Sequence, residues 1–271
     1  MKKQDHIIVY CFNSLKDPLI SGLILDYLIR AETSGLVFHL ITHEHPSFRM
    51  GKTERSRQKE LLREKNIQWH PVTYHSGKFI LTKKAFDFIR TFFIVLRLRI
   101  TKRTRTIMGF LPVAGGYSAI LSKVLFIRLV VYCFEPHSEY MADFGIWKRS
   151  SLKYKLLRYF EKVQVRRAKA IVVPTNASKQ LILDHGATGS IFVRPISVDT
   201  ELYCPDTASR RLIRDKLQVQ DRTVLLYTGK FGGIYYNTSY LTAFFNSVTK
   251  YAPELFLLII TNTPAELVQE S

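Results

Sequence analysis

The stretch EKVQVRRAKAIVVPTNASKQLILDHGATGSIFVRPISVDTELYCPD, from Glu161 to Asp206, decides the fold. It begins at the end of an amphipathic helix and continues into AKAIVVPTN, an apolar run typical of a buried strand. A short helical segment, SKQLILDHG, stops at Gly186 and precedes a second strand-like run, SIFVRPISVD. This alternation predicts a sheet covered by helices, and the Pro- and Asp-containing exit predicts the start of a second domain.

This stretch resembles the segment that closes the first domain in glycosyltransferase family 4, whose members are two-domain enzymes of GT-B architecture. The resemblance extends from about Ile7 to Thr261 and is best after Val130. It implies an α/β, GT-B-like protein: a doubly wound, parallel-sheet (Rossmann-like) domain over residues 1–203, and a second Rossmann-like domain over residues 204–271. The matching positions are Glu161, Arg167, Ala168, Ile171 to Val173, Thr175, Gly186, Ile191 to Val193, Val198, Asp199, Tyr203 and Pro205.

The length, the cysteine pattern and the net charge together predict a cytosolic protein that binds a polyanion. The 271 residues suffice for two modest domains. Cys11, Cys133 and Cys204 match no metal-ligand spacing and are expected to be reduced. Neither a signal peptide nor a span of about 20 uncharged apolar residues is expected. The net charge of +18 indicates nucleic acid, an anionic membrane face or a phosphorylated substrate as partner.

The first domain is predicted to open with a strand at His6 to Phe12, a helix at Leu19 to Ala31 and a strand at Leu36 to Thr42. The turn between the first two, Asn13 to Pro18, is expected at the cleft, because doubly wound sheets bind ligands at the carboxyl ends of their strands. Related enzymes often carry a glycine pair in this turn, and this chain has FNSLKDPL instead. Two interpretations of this turn therefore stay open: it contacts an acceptor, or it is an ordinary turn between a strand and a helix.

The most basic stretch runs from Lys78 to Arg105 and predicts a helix. Two interpretations stay open: a core-facing helix with a solvated basic rim, or a helix that lies on anionic lipid. Nucleic acid is disfavoured, because no recognition fold, zinc spacing or aromatic RNA-binding motif accompanies the charge. The apolar residues that recur at helical spacing are Phe86, Ile89, Phe93, Leu96 and Ile100.

A glycine-containing loop from Val113 to Tyr117 is predicted between a strand at Thr106 to Leu111 and a helix from Ser118 to Leu125. Glycines after a strand and before a helix can bring backbone N–H groups near an anion. Close packing of helix on sheet is the alternative explanation for Gly115 and Gly116.

The sequence EPHSEY follows an apolar strand that is predicted to end at Phe134. It places two carboxylates and an imidazole at the carboxyl end of a strand, so Glu135, His137 and Glu139 are predicted as catalytic residues. In related glycosyltransferases a His or acidic residue in a comparable loop lies near the sugar donor or acceptor. The resemblance therefore implies that a carboxylate acts as general base on the acceptor hydroxyl and that His137 hydrogen-bonds the transferring sugar. The alternative is a loop with solvated charges.

A glycine-rich turn follows the strand TVLLYT in the second domain. Glycines between a strand and a helix let the backbone approach a phosphate, and Lys230 adds a full charge, so Gly229, Lys230, Gly232 and Gly233 are predicted to bind the donor. In glycosyltransferase family 4 this turn usually carries an arginine and, several residues later, a lysine, and both bind the diphosphate of the sugar donor. Here Lys230 stands at the arginine position and the later lysine is absent, which implies one cationic contact to diphosphate. A plain tight turn is the alternative.

The resemblance implies transfer of a sugar from a nucleotide-diphosphate sugar to a hydroxyl of a glycan or lipid-linked acceptor, in bacterial cell-surface polysaccharide biosynthesis. The resemblance implies that neither a metal nor another cofactor is needed, and the sequence agrees, since no Asp-x-Asp motif stands at a strand end. The expected location is cytoplasmic, peripheral on the inner face of the plasma membrane. The family's later βα units and closing helix are missing, so the second domain is expected to be truncated. The alternative is a catalytically incomplete fragment that acts as a membrane-surface or interaction protein.

Overall fold

The computed structural model describes residues 4–31, 35–77, 79–133, 136–229, 238–261 and 263. The chain divides into two compact units, Met1–Ser197 and Val198–Ser271. This division lies slightly before the one predicted after residue 203. Each unit has its own sheet and is described by itself.

The first unit is built on a seven-stranded parallel sheet with the order β3-β2-β1-β4-β5-β6-β7. The strand order reverses between β3 and β4, where the chain crosses back over the sheet, so the predicted doubly wound α/β fold is confirmed. The strands are β1 (Asp5–Cys11), β2 (Leu36–Glu44), β3 (Ile67–Thr73), β4 (Thr106–Phe110), β5 (Arg128–Tyr132), β6 (Ala170–Val173) and β7 (Ser190–Val193).

Helices connect these strands, because each parallel strand needs a crossover connection that returns the chain to the same end of the sheet. Ser151 and Thr175 begin two of them by accepting hydrogen bonds from the backbone N–H groups of Tyr154 (3.3 Å) and Ser178 (3.0 Å). A π-helical segment, Ile20–Ile24, leads into the first helix. The helices are α1 (Leu25–Arg30), α2 (Lys52–Glu64), α3 (Ile80–Thr101), α4 (Leu111–Leu125), α5 (His137–Asp143), α6 (Leu152–Arg167) and α7 (Asn176–Asp184).

Two hydrophobic cores lie on opposite faces of the sheet. Successive residues of β1 alternate between them: Ile8 and Tyr10 pack in one core, and Val9 and Cys11 in the other. Both sets are fully buried, because helices cover both faces over the middle of the sheet. This explains why the strands read as continuous apolar runs.

The predicted glycine loop at residues 113–117 is wrong, because α4 begins at Leu111 and includes both glycines. A Cβ atom on Gly115 would overlap the side-chain amide of Gln164, and one on Gly116 would overlap the ring of Phe160. Both neighbours belong to α6. The two glycines therefore permit close packing of helix on helix, and they do not form an anion-binding loop.

Within the described part of the chain, no helix has both the length and the apolar content needed to cross a bilayer. The three cysteines are free, with Cys11 and Cys133 buried and Cys204 exposed.

The second unit contains one parallel strand pair, β8 (Val224–Thr228) with β9 (Phe256–Ile260). The helix α9 (Thr238–Tyr251) connects them, as the predicted βαβ unit requires. The helix α8 (Thr207–Leu217) precedes β8 and is capped by Asp206, which accepts a hydrogen bond from the backbone N–H of Ala208 at 2.9 Å.

Candidate functional site

The carboxyl ends of the seven parallel strands lie along one edge of the first unit's sheet, called here the carboxyl edge. Open α/β sheets bind their ligands at this edge. Two groups of polar side chains are found there, one after β5 and one after β3. The sequence analysis named candidate residues in the first group and none in the second.

The EPHSEY segment enters a helix instead of the predicted loop. Pro136 precedes α5, which begins at His137, and Glu135 lies outside the described residues. The helix is held by Glu161 of α6, whose side-chain carboxylate accepts hydrogen bonds from the backbone N–H of Ser138 (2.8 Å) and from the Ser138 hydroxyl. Glu161 is 4% exposed, and burial raises its pKa above the usual range although the Ser138 bonds oppose that shift. Glu161 thus fixes the position of α5 at the carboxyl edge.

Glu139 belongs to an ion-pair network on the same segment. Its carboxylate accepts a hydrogen bond from the Tyr154 hydroxyl at 2.7 Å, and it lies 3.4 Å from both Arg149 Nη2 and Arg158 Nε. The Tyr154 bond, followed by the two arginines, lowers the pKa of Glu139. A carboxylate stabilised in its charged form is a weaker proton acceptor, so this geometry suits Glu139 better for positioning than for proton abstraction.

His137 is half-buried at the first position of α5. Its ring meets that of Trp147 edge to face, with 6.2 Å between the ring centroids. The structure therefore brings His137 and Glu139 onto one short helix at the carboxyl edge. Their predicted roles toward the sugar and the acceptor stay predictions.

The group after β3 centres on a histidine–aspartate pair. His75 follows β3 by two residues, and Asp87 lies on α3 with no solvent exposure. His75 contacts Asp87 Oδ1 through ring atom Nδ1, and its backbone N–H donates to Asp87 Oδ2 at 3.3 Å. Since a carboxylate can only accept, Nδ1 carries the proton. The other ring nitrogen, Nε2, makes no hydrogen bond to any described residue, and a third of the His75 side chain is exposed.

Lys84 completes this pair. Its ammonium group lies 3.4 Å from Asp87 Oδ2, donates to the His75 carbonyl at 2.8 Å, and sits 3.1 Å above the centre of the Tyr74 ring. Burial lowers the pKa of Lys84, while the neighbouring Asp87 carboxylate opposes that shift. The buried Asp87 charge is therefore compensated from two sides.

A buried hydroxyl–imidazole group lies beneath the pair. His43 Nε2 is 3.0 Å from the Tyr10 hydroxyl and 3.3 Å from the Thr91 hydroxyl. Its Nδ1 atom has no hydrogen-bond partner in the described part of the chain. Burial lowers the pKa of His43 to about 3, so its ring is neutral at pH 7.

An imidazole that donates one N–H to a buried carboxylate has a fixed tautomer and a free second nitrogen. This arrangement suits a general base. The sequence does contain a signal for this histidine–aspartate pair. Asp87 occupies the buried stripe of α3 together with Thr91, Val95 and Leu98, and an acid at such a position requires a partner.

In the second unit, β8 ends at Thr228 and Gly229 follows with φ = 157°. Its backbone N–H donates to the Ile260 carbonyl at 3.1 Å, so Gly229 closes the strand pair. The other predicted donor-binding residues, Lys230, Gly232 and Gly233, lie outside the described residues. No group of three or more potential metal ligands is found in the part of the chain that the structure describes.

Comparison of the sequence with known proteins finds no matching family model and no matching curated protein. Solved structures do match. HepE (Alr3699) from Anabaena, in complex with UDP and glucose, superposes with a TM-score of 0.63 at 15% identity, over 97% of this chain and 64% of that one. The chain has the fold of the larger part of a GT-B protein. Sucrose-phosphate synthase from Thermosynechococcus elongatus (TM-score 0.58, 10% identity, 95% of this chain and 71% of that chain) shares this fold. UGT89C1 from Arabidopsis thaliana also shares it, with a TM-score of 0.58 at 10% identity over 97% of this chain and 71% of that chain.

The GT-B fold agrees with the architecture that the sequence predicted. The present chain spans 64% to 71% of the length of these three structures. At 10% to 15% identity the match concerns the fold, and membership in family 4 stays a prediction.

Proposed function

We propose that this protein is a glycosyltransferase that moves a sugar from a nucleotide-diphosphate sugar to a hydroxyl of a glycan or lipid-linked acceptor, in bacterial cell-surface polysaccharide biosynthesis. The observation that carries the proposal is the GT-B likeness, which covers 97% of this chain in the HepE comparison. HepE structures contain UDP with glucose, and UDP-glucose. UDP-glucose is therefore the first donor to test.

The turn after β8 is the proposed donor site. Gly229, Gly232 and Gly233 would give the diphosphate access to backbone N–H groups, and Lys230 would neutralise charge as the diphosphate leaves. A helix N-terminus and one ammonium group stabilise a leaving diphosphate without a metal or another cofactor. The position of Gly229, between β8 and the helix that follows, supports this proposal.

The carboxyl edge of the first unit is the proposed acceptor side. Of the EPHSEY residues, Glu135 and His137 would contact the acceptor and the transferring sugar, and Glu139 would hold their helix in place. We assign the general base to His75. Its Nε2 atom takes the proton of the acceptor hydroxyl, and the acceptor oxygen bonds to the anomeric carbon. The bond from that carbon to the diphosphate oxygen breaks, and its electron pair leaves with the diphosphate. Asp87 holds the tautomer and stabilises the imidazolium that forms.

A second candidate function is a catalytically incomplete protein that acts at a membrane surface or on a partner protein. The exposed apolar and basic outer face of α3 favours it. We propose a cytoplasmic location on the inner face of the plasma membrane for either function, with an anionic membrane surface as a partner.

Isothermal titration of the purified chain with UDP and UDP-glucose, together with an assay of UDP release, tests the proposal. We expect UDP-glucose to bind and to turn over, with water as the default acceptor. Lys230→Ala should weaken binding about tenfold, because one charged phosphate contact is lost. Lys250→Ala, at the exposed end of α9, is the matched control and should bind as the wild type does. Absence of both binding and turnover would refute transferase activity and favour the second candidate.

A further inference from the structure

The helix α3 is apolar on two opposite faces. One face is buried in the first unit's core and carries Asp87, Thr91, Val95 and Leu98. The other face lies about 180° around the helix, at about 100° per residue, and is exposed. Its large side chains are Phe86, Ile89, Phe93 and Ile100, of which Phe93 is 60% and Ile100 68% exposed. The interpretation that these residues face the core is therefore wrong, and folding alone does not account for them.

A second segment, distant in sequence, meets the end of this exposed face. The connection from α3 to β4 and the connection from α4 to β5 lie side by side, because Thr106 pairs with Arg128 and the Arg128 N–H donates to the Arg105 carbonyl at 2.8 Å. The α4 connection presents Phe126, which is 89% exposed and has φ = 53°. The left-handed region is unfavourable for a bulky aromatic residue, and this one gains no burial in return.

These two connections form an open groove of about 640 Å³ at the amino ends of the strands. Three arginines line it, Arg99, Arg103 and Arg105, and none of them forms an ion pair with a described residue. The remaining lining is apolar and includes Ile100, Val124 and Phe126. The groove thus combines uncompensated positive charge with exposed apolar side chains.

We propose that this groove binds the phosphate headgroup of an anionic phospholipid and anchors the protein on a membrane. The arginines contact the phosphate, Phe126 and Val124 enter the interfacial layer, and the outer face of α3 lies along the same surface. A free phosphate ion or a polynucleotide would use the arginines and leave the apolar residues in water. A phospholipid would contact both the arginines, through its phosphate, and the apolar residues, through the interfacial layer. The inference specifies the membrane partner of the proposed function, and it does not depend on sugar transfer.

Vesicle co-sedimentation of the full chain tests the inference. The vesicles contain phosphatidylcholine alone or with phosphatidylglycerol. We expect the wild type to bind only the anionic vesicles and to dissociate at high salt. Arg103→Gln with Arg105→Gln should lower the partition coefficient about fivefold for each charge. Ile100→Ser with Phe126→Ser should reduce binding at every salt concentration at which the wild type still binds.

Matched controls come from the exposed helix α8. Arg210→Gln with Arg211→Gln removes the same charge, and Leu212→Ser with Ile213→Ser removes similar apolar area. These controls should bind as the wild type does. Circular dichroism confirms that every variant is folded, so a loss of binding reports on the groove.

Several results would overturn the inference, and each identifies another explanation. Equal losses in the α8 controls would mean that binding follows net charge alone. Displacement by inorganic phosphate would assign the groove to a free anion, and loss of duplex DNA binding with unchanged vesicle binding would assign it to nucleic acid. A dimer in solution that Phe126→Ser dissociates would assign it to a second copy of the chain. The transferase is tested separately: a wild type that binds anionic vesicles but neither binds nor turns over UDP-glucose would support the lipid site and refute the transferase.

Discussion

Acidification should destabilise the first unit through histidines that the fold keeps neutral. His39 lies on β2 between His6 and His70, and its two ring nitrogens are each 3.1 Å from a nitrogen of one neighbour. Burial, reinforced by the His70 and His6 rings and by Lys102, lowers the pKa of His39 to about 3. Burial likewise lowers the pKa of His43 to about 3, with Asp87 opposing and nearby cations reinforcing the shift. Both side chains are completely buried.

The sign of the effect follows from proton binding. In the unfolded chain histidine titrates near its ordinary pKa of about 6.5, so below that pH the unfolded state binds protons that the native state excludes. The stabilisation is complete above about pH 6.5 and is lost as the pH falls toward 3. Each buried histidine loses about 1.4 kcal/mol per pH unit below 6.5, which gives about 2 kcal/mol at pH 5. His39 and His43 together account for about 4 kcal/mol, a large part of a typical domain's stability.

Urea unfolding followed by circular dichroism at pH 7.5, 6.5 and 5.0 measures this loss. Most carboxylates stay ionised in this range, so they contribute little. A free energy of unfolding that stays constant between pH 7.5 and 5.0 would contradict the argument, because it would mean that His39 and His43 accept protons equally well in both states.

Three further predictions concern packing and catalysis. Glu161→Ala should lower the free energy of unfolding by about 2–3 kcal/mol, because it leaves buried Ser138 donors without an acceptor, and urea unfolding measures this. Gly116→Ala should cost about 1–3 kcal/mol through overpacking against α6, whereas Gly51→Ala, where a methyl group meets no atom within 4 Å, should be nearly neutral. His75→Gln should lower kcat for UDP-glucose turnover about 10²–10⁴-fold with little change in KM, because the acceptor hydroxyl loses its proton acceptor. An unchanged kcat would exclude His75 as the base and leave the transferase proposal intact.

The sequence predicted the elements well because each carries its own periodicity and stop signals. The α/β class and the parallel order followed from the alternation of apolar runs with amphipathic segments. The helix at Leu111 was placed too late, because Gly115 and Gly116 were interpreted from local turn chemistry. Their actual reason is contact with Gln164 and Phe160, which are far away in sequence.

The orientation of α3 could not be predicted by periodicity, since the helix has two apolar faces and period alone does not distinguish them. The buried Asp87 was the missed clue to which face lies inside. The contact between Asp87 and His75 depends on how α3 packs against the sheet after β3, and a sequence pattern does not show that packing. Glu161 was identified through the family resemblance, but its role in holding Ser138 became visible only in the structure.

The tight contact between α4 and α6 connects two glycines, which have no reactive group, to the polar side chains that α6 holds in place. The helix α6 bears Glu161, which holds α5, and Arg158, which lies beside Glu139. A single methyl group on α4 would push α6 outward and carry these side chains with it. Catalytic geometry tolerates little error, and a misplacement of about 1 Å can cost about a hundredfold in rate. If the proposed activity is present, substitutions at Gly115 or Gly116 should therefore abolish it while every polar residue at the carboxyl edge stays unchanged.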